Sequence, residues 1–193
     1  GSGYGSNYGS GYGSCYGSDY GSGLASFDEL PLWLQNVPRS SNAIKVFLNP
    51  HDDLCFQRVC VYHMNPRKRK DYMKIDRNTW FNDARKLGED LHCPGAMSEV
   101  EIQIFCDAHE EYGVTVFADM QTVKFQLYPE RPRTVYALYT ETVTEKGHYS
   151  VVIDPSRFHN RVKFCNRCAR FIPNNTFKPA YFGGGEPRKN PFF

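Results

Sequence analysis

The sequence predicts an α+β fold in which helices come first and a mostly antiparallel sheet follows. In the first part of the globular region, apolar residues recur at intervals of three and four, which is the spacing of one helix face. From Val114 to Ile153 they occur instead in short β-branched and aromatic runs bounded by Pro, Asp or Gly. Because helical segments precede strands, we expect the helices to pack against one face of the sheet.

Length and composition predict one folded domain with flanking irregular segments. The chain has 193 residues, enough for a single domain with a substantial core. We divide it into a disordered Gly-Ser-Tyr repeat at 1–26, a domain at 27–172 and an irregular tail at 173–193. The net charge of +2 is too small to indicate a class of partner.

The N-terminal repeat is a tetrapeptide pattern whose first five units each end in a tyrosine. Such a tract buries too little apolar surface to offset the backbone entropy lost on ordering, which favours a flexible tether. Evenly spaced tyrosines also suit weak self-association in a structural protein. The tyrosines concerned are Tyr4, Tyr8, Tyr12, Tyr16 and Tyr20.

Cysteine usage points to an intracellular protein, either nuclear or cytoplasmic. Seven cysteines are an odd number, in a chain too long to need a disulfide framework. We therefore expect a reducing compartment and mostly buried thiols. No apolar run approaches membrane-spanning length, so we expect no membrane partner.

Three segments predict the helices. The segment from Cys55 to Met64 places Phe56, Val59, Cys60 and His63 on one face, and the segment 79–91 has a matching apolar face that would pack on it. Ser98 and Glu101 form a capping box that opens the next helix. There we expect Val100 and Ile104 to point inward.

The sheet prediction rests on apolar segments bounded by turn residues. A run at 43–48 ends in an Asn-Pro turn just before the cysteine helix. Four further strands are predicted at 114–117, 124–128, 134–139 and 148–153.

A thiol site is predicted from Cys55 and His148. The first turn of a helix favours a thiolate, the nucleophilic form of cysteine, and His148 opens a later strand as a candidate base. Asp154 closes that strand, but an extended strand rises about 3.3 Å per residue, which separates the two backbones by roughly 20 Å. Asp52 and Asp53, just before the cysteine, are the other candidate acids.

A run of four basic residues follows the cysteine helix at Arg67, Lys68, Arg69 and Lys70. The run suits contact with DNA or another nucleic acid, or a nuclear import signal. A solvated basic loop is the commoner meaning of such a run.

Cys165 and Cys168 have the spacing of half a zinc site. A closed structural site needs four ligands, so the other half would come from His159, Cys93, a distant residue or a second chain. A redox pair is the alternative. Zinc is thus the one cofactor that the sequence suggests, and the thiol site requires none.

The cysteine segment resembles the ovarian-tumour (OTU) branch of papain-like cysteine proteases. That resemblance rests on Asp52-Asp-Leu-Cys55-Phe56 together with His148-Tyr149. It implies that Cys55 is the nucleophile, that His148 is the base, and that Asp52 lies near the loop shaping the oxyanion hole. Asp53 stands where the family has a glycine.

A longer stretch, 48–171, resembles the region ahead of the protein-primed family-B DNA polymerases of Maverick/Polinton-like transposable elements and their domesticated relatives. This resemblance implies a papain-like scaffold of mobile-element origin. In those proteins the Cys-x-x-Cys opens a finger with two cysteines and two histidines. The motifs are Cys55, Tyr62-His-Met-Asn-Pro66, Tyr128-Pro129, His148-Tyr149 and Phe164-Cys-Asn-Arg-Cys168.

Three functional hypotheses follow. The first is a cysteine-protease-like domain that cleaves peptide or ubiquitin-type isopeptide bonds, or that retains only the scaffold. The second is a nucleic-acid-associated module that uses the basic run with Lys163, Arg167 and Arg170. The third is a structural protein that associates through its tyrosine repeat.

Overall fold

The structure is a computed structural model that describes residues 27–36, 43–47, 52–65, 77–142, 147–159 and 162–173. The tyrosine repeat, the basic run Arg67 to Lys70, and the tail beyond Pro173 lie outside the described residues. The predictions made for those three segments therefore stay predictions.

The helices of the described residues precede most of the strands. They are α1 (Leu32–Gln35), α2 (Cys55–Met64), α3 (Arg77–Asp90) and α4 (Glu99–Ala108), with short 3-10 helices at Phe27–Glu29 and Pro155–Arg157. The strands are β1 (Ile44–Lys45), β2 (Tyr112–Phe117), β3 (Val123–Leu127), β4 (Arg133–Glu141), β5 (Gly147–Val152), β6 (Val162–Cys165) and β7 (Arg170–Pro173).

The α+β class predicted from the sequence is confirmed, and the main sheet is mixed. Its strand order is β1-β5-β4-β2-β3, while β6 and β7 form a separate two-stranded hairpin. Strand β2 pairs in parallel with β4 and antiparallel with β3, and β5 pairs antiparallel with both β1 and β4. Strand β5, which carries His148, is therefore an interior strand over the part that β1 covers.

The sheet has an apolar cluster on each face, because successive side chains of a strand point to opposite sides. Ala137, Tyr139 and Val151 belong to the cluster that α2, α3 and α4 complete. Their neighbours Leu138 and Val152 belong to the other cluster, which the N-terminal helices and the hairpin aromatics complete. Helices α2 and α3 also pack directly on each other, as the sequence predicted.

Helix α4 begins where the capping box predicted but buries a different face. The Ser98 backbone N–H donates to a Glu101 carboxylate oxygen at 2.8 Å, which confirms the cap. The prediction that Val100 and Ile104 point inward is wrong, since Val100 is 72% exposed and Ile104 is 40% exposed. The inward residues are Ile102, Phe105 and Cys106, which have the same three-and-four spacing rotated to another face.

Among the helices that the structure describes, none has the length and apolar character needed to cross a membrane.

Candidate functional site

Cys55 is the first residue of α2 and lies against strand β5. Its Sγ accepts a hydrogen bond from the backbone N–H of Tyr149 at 3.4 Å, and its side chain is fully buried. The Tyr149 ring packs edge-on against Phe56 at 5.0 Å, and burial, with Cys55 as the next contribution, raises the pKa of its phenol. The helix start and the strand are thus fixed to each other at the sulfur, although Cys55 and Tyr149 are 94 residues apart in the chain.

His148 immediately precedes Tyr149 in β5 and is also fully buried. By strand alternation its side chain shares a face with Ser150, opposite to that of Tyr149. Among the described residues, neither ring nitrogen of His148 has a hydrogen-bond partner, so no such bond joins the ring to the Cys55 sulfur. Burial, and secondarily the nearby Arg58 cation, lowers the pKa of His148 to about 4, which leaves the imidazole neutral at pH 7.

Asp52 organises the start of α2. One of its carboxylate oxygens accepts the Leu54 N–H at 2.9 Å, and both oxygens receive the Arg58 guanidinium at 2.6 Å. Arg58 is itself buried, so the bidentate pair compensates a desolvated cation. The geometry makes Asp52 the partner of Arg58, and Arg58 in turn acts on His148 through its charge.

Asp154 lies beyond the far end of β5. It caps the 3-10 helix Pro155–Arg157 by accepting the Ser156 N–H at 3.0 Å, and it pairs with Arg157 at 3.3 Å. No hydrogen bond joins it to His148. The structure thus brings Cys55 to the backbone beside His148 and places Asp154 elsewhere.

The cysteine site is closed to solvent. Cys55 and His148 are each 0% exposed, and a shallow surface cleft lined by Val61, Met64 and Leu87 lies at the other end of α2. A substrate carbonyl therefore reaches the Cys55 sulfur only after the surrounding chain moves.

Two other buried cysteines have the character of structural thiols. Burial raises the pKa of Cys60, on the same helix, well above its usual value, and raises that of Cys106 to about 11. Both belong to the helix-side core, as the sequence predicted for most cysteines.

The second predicted site lies on the hairpin. Cys165 ends β6 and Cys168 lies in the turn before β7, where Cys165 is half-buried and Cys168 is exposed. The Cys168 thiol donates to the backbone carbonyl of Cys165 at 4.0 Å, and the interaction between the two side chains is the largest cause that lowers the pKa of Cys165 and raises that of Cys168. The Cys-x-x-Cys segment thus places both thiols on one turn of the hairpin.

The described residues do not complete a zinc site around this pair. No group of three or more His, Cys, Asp or Glu side chains suited to a metal occurs among them. His159 has its Nε2 at 2.8 Å from the Met120 carbonyl, and the Cys93 thiol donates to the Leu91 carbonyl at 3.4 Å in the helix-side core. Both proposed additional ligands are therefore engaged elsewhere, and two thiols alone do not fill a tetrahedral site.

Asn166, between the two cysteines, holds the hairpin to the main sheet. Its side-chain oxygen accepts hydrogen bonds from Thr115 at 2.8 Å and Gln126 at 3.2 Å. Its side-chain nitrogen donates to the Pro129 carbonyl at 2.8 Å and to Thr134 at 3.1 Å. The position of the thiol pair is fixed by these contacts.

The sequence did not predict the role of Arg58 or of Asn166. A basic residue six positions after an acid is a weak signal across a helix start, although Arg58 on a largely apolar helix hinted at burial with a partner. Nothing in the local sequence indicates the partners of Asn166, which lie 32 to 51 residues away.

Comparisons of the chain with protein-family models, curated proteins and solved structures found no match.

Proposed function

We propose that the domain is a papain-like, OTU-like cysteine hydrolase of mobile-element origin that acts on peptide or isopeptide bonds, including those of ubiquitin-like substrates. Cys55 is its nucleophile and His148 is its base. The observation that supports this proposal is the contact between the first residue of α2 and the strand residue next to His148. A cysteine at a helix start beside a histidine on a neighbouring strand is the arrangement that thiol hydrolases use.

The proposed chemistry uses His148 in its neutral form. The imidazole is neutral at pH 7, but the burial that lowers its pKa to about 4 also makes it a weak base, so hydration of the opened site must raise that pKa before His148 accepts the Cys55 proton. The thiolate attacks the substrate carbonyl to form a thioester, and the protonated His148 delivers its proton to the leaving amine. Water then hydrolyses the thioester, with His148 again acting as the base.

Catalysis in this scheme requires the buried site around Cys55 to open. Both reacting side chains are fully buried and are not hydrogen-bonded to each other, so the described arrangement is the resting state of the proposed enzyme. Substrate binding must expose the sulfur and bring the imidazole to it from the face of β5 opposite to Tyr149, which requires a local rearrangement of β5. Asp52 contributes indirectly, by neutralising Arg58 at the helix start.

Activity-based labelling tests the proposal. The full chain is treated with a ubiquitin probe and with a peptide probe, each carrying a thiol-reactive group, and the modified residue is mapped by mass spectrometry. We expect labelling at Cys55 that is lost in Cys55→Ala and in His148→Ala. Cys168→Ser is the matched control, because it removes an exposed thiol and leaves Cys55 in place.

Two results would contradict the proposed hydrolase activity. One is the absence of labelling at Cys55 by either probe in folded protein, and the other is labelling that His148→Ala leaves unchanged. Circular dichroism of each variant establishes that the loss reflects chemistry and not unfolding.

A second function, nucleic-acid binding, is favoured by the charge of the hairpin. Lys163, Arg167 and Arg170 all have exposed side chains on this two-stranded element. Replacing all three by Gln should weaken DNA binding and reduce the slope of log K against log salt by about two to three, as expected if each contacts one phosphate. Undetectable or salt-independent binding by the unmodified protein would remove this candidate.

A further inference from the structure

The hairpin thiol pair differs from the other described cysteines in access and in having a thiol neighbour. Cys55, Cys60, Cys93 and Cys106 are buried, whereas Cys168 is exposed and its thiol lies 4.0 Å from the backbone carbonyl oxygen of Cys165. Two residues separate the pair across a turn. Thiols carried this close together by one turn require little backbone movement to meet, which is the geometric condition for a disulfide.

The hairpin also holds the pair in a fixed turn. Strands β6 and β7 pair at Cys165 and Arg170, directly on either side of the turn. Ala169 has φ of 52°, a left-handed conformation that lets the chain reverse after Cys168. Asn166 anchors the same turn to β2, β3 and the segment before β4. The reduced protein therefore already holds the two thiols on one anchored turn.

A closed metal site is the other use of two such sulfurs, and the chain offers little to complete it. The described residues supply no third ligand, and elsewhere in the sequence the only Cys and His are Cys15 and His51. The 20 residues after Pro173 contain neither. Two sulfurs suffice for a disulfide, whereas structural zinc needs four ligands.

From this geometry we propose that Cys165 and Cys168 are a redox modification site that forms a reversible intramolecular disulfide by exchange with a low-molecular-weight disulfide of the glutathione class. One protein thiolate attacks a sulfur of the small disulfide, forming a mixed disulfide and releasing one small thiol. The second protein thiolate then attacks the protein sulfur of that mixed disulfide and releases the other small thiol. The protein loses two electrons and two protons, and the small disulfide is reduced to two thiols.

This site is independent of the proposed hydrolase. The hairpin packs on the side of the sheet opposite to α2, so the disulfide should form equally in Cys55→Ala protein. Failure of one proposal therefore leaves the other standing.

The test is equilibration of the full chain in glutathione buffers of stepped oxidised-to-reduced ratio, followed by acid quenching, alkylation and peptide mapping. We expect the peptide spanning Cys165 and Cys168 to become two hydrogens lighter and resistant to alkylation, with reversal by dithiothreitol. Buried Cys106 in the same digest is the internal control and should stay reduced. In Cys168→Ser, Cys165 should instead carry one glutathione.

A second variant tests the role of the anchored turn. Asn166→Ala removes the side-chain anchors while keeping both cysteines, so the sulfurs lose part of their effective concentration. The glutathione ratio at half-oxidation should then shift toward the oxidised form by roughly tenfold. An unchanged midpoint would contradict the claim that the turn holds the thiols ready.

Three results would overturn the disulfide itself. The first is full alkylation of both thiols in the most oxidising buffer, and the second is a disulfide that joins either thiol to another cysteine. The third is zinc in the purified protein that protects both thiols from oxidation until a chelator is added, which would make the pair a metal site.

Discussion

Helix α2 and the β6–β7 hairpin carry cysteine pairs in opposite surroundings. Cys55 and Cys60 lie on α2 with no exposed surface, whereas Cys165 is half-buried and Cys168 is exposed. The Cys55 sulfur contacts the backbone N–H of Tyr149, and the preceding strand residue is His148, whose ring nitrogens have no hydrogen-bond partner among the described residues. Cys168 is instead next to solvent and shares its turn with Cys165.

The two sites differ in which requirement for cysteine reactivity they meet, a nearby base or access to solvent. The α2 site has a base nearby but needs a movement before any substrate arrives, whereas the hairpin site is open but has only another sulfur to react with. Reactivity of a cysteine depends on both factors. The same residue type is therefore proposed as a protected nucleophile in one region and as a redox pair in the other.

The largest expected contrast between the two regions is in packing. Phe56 is fully buried between Phe105 at 6.4 Å and Tyr149 at 5.0 Å, whereas Phe171 on the hairpin is only partly buried. Phe56→Ala should lower the free energy of unfolding by about 4 kcal/mol, and Phe171→Ala by about 1 to 2 kcal/mol. Urea denaturation measures both values, and equal losses would show that the hairpin is as much part of the core as α2.

The next effect concerns the buried ion pair at the start of α2. Asp52→Asn leaves the buried Arg58 cation without its carboxylate, which should cost about 3 kcal/mol of unfolding free energy. Glu89→Gln is the matched control, because its pair with Arg85 is exposed and spans 3.8 Å, and it should change stability by less than about 0.5 kcal/mol. A loss in Asp52→Asn no larger than in the control would mean that solvent replaces the lost carboxylate.

These contrasts also show what the sequence could and could not predict. The change from helical to strand periodicity is local, so the α+β class and the capping box at Ser98 were predictable. The inward face of α4 was not, because the sheet selects Ile102 and Phe105 over the equally apolar Val100 and Ile104. Likewise the parallel pairing of β2 with β4 depends on contacts between strands that are separated along the chain by β3.

The candidate sites divide in the same way. The placement of Cys165 and Cys168 on one turn follows from their spacing, and the placement of Cys55 at a helix start follows from the helical periodicity. The contact of Cys55 with β5 and the anchoring by Asn166 depend on tertiary packing. Side-chain pairing over such distances leaves no periodic signal in one sequence.

The smallest of the stability effects depends on pH. The pKa of His148 is about 4 in the folded protein and about 6.5 in the unfolded chain, so between these values the unfolded state binds more protons. Stability contributed by neutral His148 is therefore present above pH 6.5 and is lost as the pH falls toward 4. The loss between pH 7 and pH 5 should be about 2 kcal/mol.

His148→Gln isolates this contribution, because Gln does not titrate while the other histidines remain. The difference in unfolding free energy between wild type and variant, measured by urea denaturation at pH 7 and pH 5, should change by that amount. A difference that is constant with pH would mean that His148 is hydrated and titrates normally.

The most direct test of the central claim compares Cys55 with Cys60 within one molecule. Both are fully buried on α2, so unfolding exposes both equally, and only Cys55 lies beside His148 in β5. Under native conditions, mass-resolved labelling by a small haloacetamide should modify Cys55 at least about tenfold faster than Cys60, the scale of a modest general-base effect. His148→Gln should abolish that excess. Equal labelling rates for the two cysteines in wild-type protein would contradict the claim that Cys55 and His148 form a thiol site.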